Sequence, residues 1–313
     1  MTDDGPAELV LMAAVARRHY LHNQSKVEIA QDLGISRFKV ARMIDTARER
    51  GLVRIEIARH GFLDIDTSAQ LQERFGLAHA VVVDPADADP DAIRLQLGRA
   101  GADLLSEVLR DGDVLGLPWS RNVHAVVAAL TTLPHVEVVQ LTGAIERPDL
   151  DSSAVDIVRR AARLAGRSAK VFYAPFVLDT RTGADTIRRQ PAVAEGLAQA
   201  SAVTTAVVGV GQWQPGGSTI HDLLSAAEQQ ELAGRGVIGE VAGVFFDQRG
   251  KPLRPKVAAR LITLGADTLA RIPEVIGVVS GTSKAPAVRA ALEGRLVQGL
   301  VVDSDLARAL LDG

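Results

Sequence analysis

The 313-residue chain contains no cysteine. That excludes a disulfide scaffold and any zinc or iron–sulfur site built on thiolates, and it suits a reducing compartment. No apolar run approaches the ~18 residues a membrane-spanning helix needs. The opening MTDDGPAELV is acidic and lacks the basic-then-apolar profile of a secretory signal, so a cytoplasmic location and no membrane partner are expected. Catalytic signatures are missing as well. There is no G-x-x-x-x-G-K-[ST] and no G-x-S-x-G elbow, and Gly209-Val210-Gly211 has Gln214 where a dinucleotide fingerprint needs its third glycine. The seven histidines are scattered, and His19 and His22, three residues apart, have no third ligand at metal spacing. No metal and no cofactor are therefore expected. His221-Asp222, after Gly216-Gly217-Ser218, comes nearest to an acid/base cluster and reads as a loop entering a helix.

An excess of positive charge is also lacking, since the net charge is −3. Taken whole, that argues against nucleic acid, but the distribution reverses the inference. Residues 17–59 hold ten basic side chains against five acidic ones, a +5 segment that leaves −8 for the rest. A small basic head on an acidic body is the charge pattern of a nucleic-acid-binding protein. With 47% apolar and 23% charged residues the composition is that of a globular chain. Its length allows two domains of about 150 residues.

The head carries a readable motif. Leu11, Met12 and Val15 mark a first helix over residues 7–22. Ser25 stands three residues before Glu28, a capping box opening a second helix with the stripe Ile29, Ala30, Leu33, and Gly34 closes it. Ser36 caps a third helix whose inner face reads Val40, Met43, Ile44, Ala47, with Gly51 at its end. Leu52–Ile57 alternates like a short strand, the wing of a winged domain. Two short helices joined by Gly-Ile-Ser form a helix-turn-helix, in which Ala30 must be small where the helices cross. The early part of the second helix of such a motif faces base edges. Ser36, Arg37, Lys39 and Arg42 are therefore base-facing candidates, and Arg48 and Arg50, with Arg54, backbone contacts. Phe38 can either touch a thymine methyl or pack against the first helix, and packing is the preferred expectation.

From residue 61 short apolar strands alternate with helices. Strands are expected at 80–83, 113–117, 136–141, 170–173, 205–210, 240–246, 275–279 and 300–302. Helices are expected at 67–75, 121–130, 153–164, 285–292 and 305–311, with an acidic loop over 84–91. This alternation implies a doubly wound α/β fold with a mostly parallel sheet, whose ligands bind outside the strand carboxyl ends. Those ends read Gly116–Asn122, Gln140–Ala144, Gly209–Gly211 and Ser280–Lys284. The last is a strand, a Gly-hydroxyl-hydroxyl turn and a helix start, where open amides favour an anion. Lys284, one of only six lysines, adds a full charge there.

With these motifs in order, the chain resembles the SorC family of bacterial transcriptional regulators over nearly its whole length. The resemblance rests on Lys26–Met43 and Glu49–Val53 in the head. In the body it rests on Gly116–Arg121, Gln140–Ala144, Tyr173–Pro175, Gly209–Gly211, Gly236–Glu240 and Val275–Lys284. It implies a DNA-binding domain over 1–59 and, over 60–313, a Rossmann-like effector-binding and oligomerisation domain similar to sugar-phosphate isomerases. It implies operator DNA and a sugar or phosphosugar as partners, and a homo-oligomer, dimer or tetramer. By position, Trp119, Ser120, Arg121, Asn122, Thr142, Gly143 and Gly209 would line the effector pocket. Glu240 would face sugar hydroxyls, and Gly281, Thr282, Ser283 and Lys284 would hold phosphate. Ser120 and Asn122 depart from the Gly and Thr that often flank this arginine in the family, and Glu240 stands where many relatives have Asp. The expected function is a non-enzymatic, effector-modulated regulator of carbohydrate metabolism. The competing expectation is a sugar-phosphate isomerase or deaminase with an accessory DNA-binding head, working through a base at Glu240 or Asp222.

Overall fold

A computed structural model describes residues 5–53, 61–85, 88–145 and 153–313. The chain forms two compact units, Met1–Ala58 and Arg59–Gly313.

The first unit holds three helices, α1 (Pro6–Tyr20), α2 (Lys26–Leu33) and α3 (Arg37–Glu49). Their boundaries follow from side-chain chemistry. Ser25 Oγ accepts from the Glu28 N–H at 3.2 Å while the Glu28 carboxylate accepts from the Ser25 N–H at 2.7 Å, closing a capping box. Those two bonds hold the Glu28 carboxyl below its ordinary value. Gly34, at φ 65°, ends α2 in the left-handed region, and its N–H reaches the carbonyls of Ala30 and Gln31. Two residues on, Ser36 Oγ accepts from the Lys39 N–H at 3.1 Å and opens α3. The three helices bury Val15, Ile29, Val40, Met43, Ile44 and Ala47 between them. Phe38 does not pack on the first helix. It is 81% exposed, because it lies two residues from Val40 and so projects to the opposite side of α3. Leu52 and Val53 are both in bend conformation, and the rest of the expected wing lies outside the described residues.

The second unit is built on a seven-stranded sheet of β1 (His79–Val83), β2 (Val114–Leu117), β3 (Glu137–Gln140), β4 (Ala169–Lys170), β5 (Thr205–Val208), β9 (Glu274–Val279) and β10 (Gly299–Asp303). A smaller sheet is formed by β6 (Gly211–Gln212), β7 (Gly239–Val241) and β8 (Val244–Phe246). The large sheet runs β1-β10-β9-β5-β2-β3-β4, and every pairing in it is parallel. Alternate residues feed opposite cores. Val207, Ile276, Val278 and Val301 belong to one, Ala206, Val208, Val279 and Val302 to the other. Both faces are thus covered, as parallel sheets require.

Two expectations change. Residues 240–246 are not one strand of the main sheet but the antiparallel hairpin β7–β8, turning at Ala242 and Gly243 with φ 50° and 84°. Positive φ at both turn residues gives the twist a two-residue hairpin needs. The acidic loop is shorter than expected, because Asp89 caps a nineteen-residue helix, α4 (Pro90–Val108), with Pro90 in its first turn. This helix packs on the helix Arg121–Ala129 so closely at Gly98 and Gly101 that a Cβ there has no room. A Cβ on Gly98 would stand 2.6 Å from the Ala125 carbonyl oxygen.

Gly98→Ala should therefore lose about 1–3 kcal/mol to overpacking, despite alanine's better helix propensity. Gly234→Ala, with open space around its Cβ, should gain roughly 0.5–1 kcal/mol. Urea midpoints of the two variants check the pair, and equal stability of Gly98→Ala and wild type would refute the close approach.

Candidate functional site

On the head, Ser36, Arg37, Lys39, Arg42, Arg48 and Arg50 are all exposed. The buried residues of α3 recur at Val40, Met43, Ile44 and Ala47, so the helix turns one stripe inward and presents its cations to solvent. Arg37, Lys39, Arg42 and Arg48 form no ion pair among the described residues. The Ser36 hydroxyl caps the helix, which fixes its position at the head of α3. His19 Nδ1 lies 3.1 Å from the Gln24 carbonyl oxygen, a structural contact, and no metal-holding cluster occurs among the described residues.

In the second unit a cavity of about 560 Å³ opens where β2, β3, β5 and β9 end. That volume suits a small metabolite. Its walls include Trp119, Ser120, Arg121, Asn122, Thr142, Gly209, Glu240, Gly281, Ser283 and Lys284. Gly143 and Thr282 are not in the lining. Gly143 instead meets the passing chain at Pro175, whose carbonyl oxygen would stand 2.7 Å from a Cβ, and its N–H binds the Ile262 carbonyl at 2.8 Å. Thr282 is exposed on the outer side of the turn.

Internal bonds preset the polar wall. The Trp119 N–H donates to Thr142 Oγ1 at 3.2 Å, and Asn122 Nδ2 donates to the Val278 carbonyl at 2.9 Å, tying the ends of β2, β3 and β9 together. Ser120 Oγ accepts from the Val123 N–H at 3.0 Å and starts its helix. The Gly281 N–H is already bound to Asp303 Oδ2 at 2.8 Å. Of the amides on which an anion was expected there, that of Gly281 is thus engaged, and the Lys284 ammonium supplies the full charge of that turn.

Glu240 is buried and comes from β7, opposite Gly211. Its Oε1 accepts from Ser218 Oγ at 2.9 Å and its Oε2 from the Gly243 N–H at 3.1 Å. Burial pushes its carboxyl above the ordinary 4.5, against the pull of these bonds and of the Lys284 charge. Lys284 is driven the other way. Burial lowers its ammonium from 10.5, Glu240 resists, and the guanidiniums of Arg121 and Arg94 lower it further. A Cβ on Gly211 would fall 2.3 Å from Glu240 Oε1, so only glycine lets that carboxylate sit where it does.

Relatives bear on this arrangement. The family model described as "Putative sugar-binding domain" matches residues 60–312. The chain is 30% identical to the "Uncharacterized transcriptional regulator YjhU" of Escherichia coli (strain K12), over 94% of this chain and 92% of that protein. The chain belongs to the SorC family of sugar-binding transcriptional regulators. It is also 26% identical to the deoxyribonucleoside regulator of Bacillus subtilis (strain 168), over 96% of this chain and 97% of that one. The full-length sorbitol operon regulator SorC of Klebsiella pneumoniae has the same fold, with a TM-score of 0.74 at 24% identity, covering 97% of this chain and 99% of that chain.

Within this SorC-family chain several cavity residues escaped the sequence reading. Arg94 lies in α4, which two prolines and a run of aspartates disguised as a loop, and it pairs with Asp91. Ser218 was visible as part of Gly216-Gly217-Ser218, but its bond to Glu240 depends on β6 pairing with β7, which is long-range. Ile145, Phe176, Ile220 and Val278 form an apolar wall drawn from four separate segments.

The raised carboxyl carries a sign. The folded chain holds the Glu240 proton more tightly than the unfolded chain, so this group contributes stability below about pH 4.5, lost as pH rises through the elevated value. Glu240→Gln, neutral throughout, should therefore gain stability relative to wild type as pH rises from about 4.5 through the elevated value. Urea unfolding across that range checks it, and a constant difference would contradict the burial effect.

Proposed function

We propose that this chain is a DNA-binding regulator of carbohydrate genes whose hold on operator DNA is set by a phosphorylated sugar in the cavity of its second unit. One observation carries the effector class. Three cations, Arg94, Arg121 and Lys284, line one cavity with a single buried carboxylate, Glu240. The Lys284 ammonium is disfavoured there by burial and by both guanidiniums, and a bound phosphate reverses those effects. A sugar phosphate supplies the dianion for that side and hydroxyls for Glu240 and Ser218, while Trp119 and the apolar wall cover its carbon face.

The binding reading is better supported than the isomerase one. Glu240 already accepts from Ser218 and Gly243 through its two oxygens, which holds it as an acceptor for ligand hydroxyls rather than as a base. His221 lies 3.1 Å from Asp222 Oδ1, which also accepts from the Gly216 N–H, and neither side chain lines the cavity. On the head, Ser36, Arg37, Lys39 and Arg42 would face base edges, and Arg48 and Arg50 the phosphates. The reading includes a cytoplasmic homo-oligomer, dimer or tetramer, since paired heads match paired half-sites. Among the described residues no helix is long and apolar enough to cross a membrane.

The test is a fluorescence titration of the full-length chain on duplex DNA from its own upstream region, with pentose and hexose phosphates added in turn. At least one sugar phosphate should shift the operator Kd fivefold or more, and a panel without effect would reject the effector. Lys284→Ala should keep the ligand-free Kd and lose the shift. Arg42→Ala should cost about 1–3 kcal/mol and relax preference at one base pair, while Arg50→Ala should weaken all sequences alike and lower the salt slope by about 1.

A further inference from the structure

Phe38 is the most exposed of the large apolar side chains among the described residues, at 81%. The other six phenylalanines are buried or partly buried, so this one departs from how the chain treats the residue type. Its place on α3 is specific. Phe38 is the second residue of the helix, in the end that enters the major groove in a helix-turn-helix. It shares an outward stripe with Arg42 and Asp45 at i, i+4 and i+7, opposite Val40, Met43, Ile44 and Ala47. Arg37 and Lys39 flank it, both exposed.

An apolar partner from a protein would have to be ringed by carboxylates to match Arg37, Lys39 and Arg42. Duplex DNA meets the whole pattern at once, with base-edge acceptors for the flanking cations and one apolar group in the major groove, the 5-methyl of thymine. We propose that Phe38 covers the methyl group of a thymine in the operator, so that this head distinguishes T from C at that position. The inference rests on the DNA-binding reading above. One helical turn separates Phe38 from Arg42, about 6 Å, close to two base-pair steps of ~3.4 Å. The thymine therefore lies within about two base pairs of the base edge that Arg42 would face.

The experiment uses the full-length chain and a duplex enriched by it from a randomised pool. Each thymine of that duplex is replaced singly by deoxyuridine, which removes the methyl and leaves every hydrogen-bonding group. Wild type should lose about fourfold in Kd at one thymine per half-site, the equivalent of ~0.8 kcal/mol for one buried carbon. Phe38→Ala should bind the unmodified duplex at least fourfold more weakly, show no further loss on deoxyuridine, and keep the wild-type salt slope. Its unfolding midpoint should match wild type, since the side chain is exposed. Wild-type binding indifferent to every deoxyuridine overturns the proposal and leaves the DNA-binding reading intact. Methyl discrimination that survives in Phe38→Ala also overturns it, and a change of oligomeric mass in that variant would then assign Phe38 to a contact between copies. Failure to enrich any sequence removes both readings together.

Discussion

Every pairing in the seven-stranded sheet is parallel, and that one constraint fixes where this protein can bind anything small. Parallel strands deliver all their carboxyl ends to one edge, and the loops leaving that edge must turn back over the faces as helices. The central strands β9, β5 and β2 end beside one another, so the turns at 280–284, 209–211 and 118–122 share one cavity. Residues 160 positions apart in sequence meet there because the hydrogen-bond ladders leave them no alternative. Asn122 fastens the 118–122 turn to the end of β9 through the Val278 carbonyl.

A preformed cavity of this kind imposes electrostatic costs. Burying a carboxylate is unfavourable unless its oxygens are bonded, and Glu240 meets that condition through Ser218 and Gly243. Both partners come from backbone devices, the cap of a short helix at Ser218 and the tight turn at Gly243. Gly211 completes the arrangement by having no side chain. Lys284 supplies the opposite charge in the same cavity, where two further cations act on it. A cavity held in that state favours a ligand that carries both an anion and hydroxyls.

Much of this was legible in the sequence, for local reasons. The capping box at Ser25–Glu28, Gly34 and Ser36 defined the helix-turn-helix because each acts within four residues. The strand ends around the cavity were readable because fully buried parallel strands appear as short apolar runs closed by glycine and hydroxyl residues. What escaped depended on distant partners. The hairpin at Ala242-Gly243 was hidden in a continuous apolar run. In α4, Gly98 and Gly101 are sites of close contact with Ala125 and Val126, partners that lie more than twenty residues away in the chain. Gly143 was assigned to the pocket from its neighbours, yet it is small because the chain at Pro175 runs against it. For Phe38, packing on the first helix was preferred over a thymine contact, although its phase on α3 set it outward.

The two units hold different devices, an exposed cationic helix in one and a cavity at the strand ends in the other. A ligand can move the first only through its difference in affinity for two arrangements of the whole protein. That makes the ligand's own chemistry the decisive quantity. Calorimetry of the full-length chain with a responsive sugar phosphate and with the same sugar lacking its phosphate measures it directly. Charge-assisted bonds of ~1.5–3 kcal/mol each predict at least about a hundredfold weaker binding for the unphosphorylated sugar. Equal affinity for the two would contradict the assignment of Lys284 and its neighbouring cations to an anion.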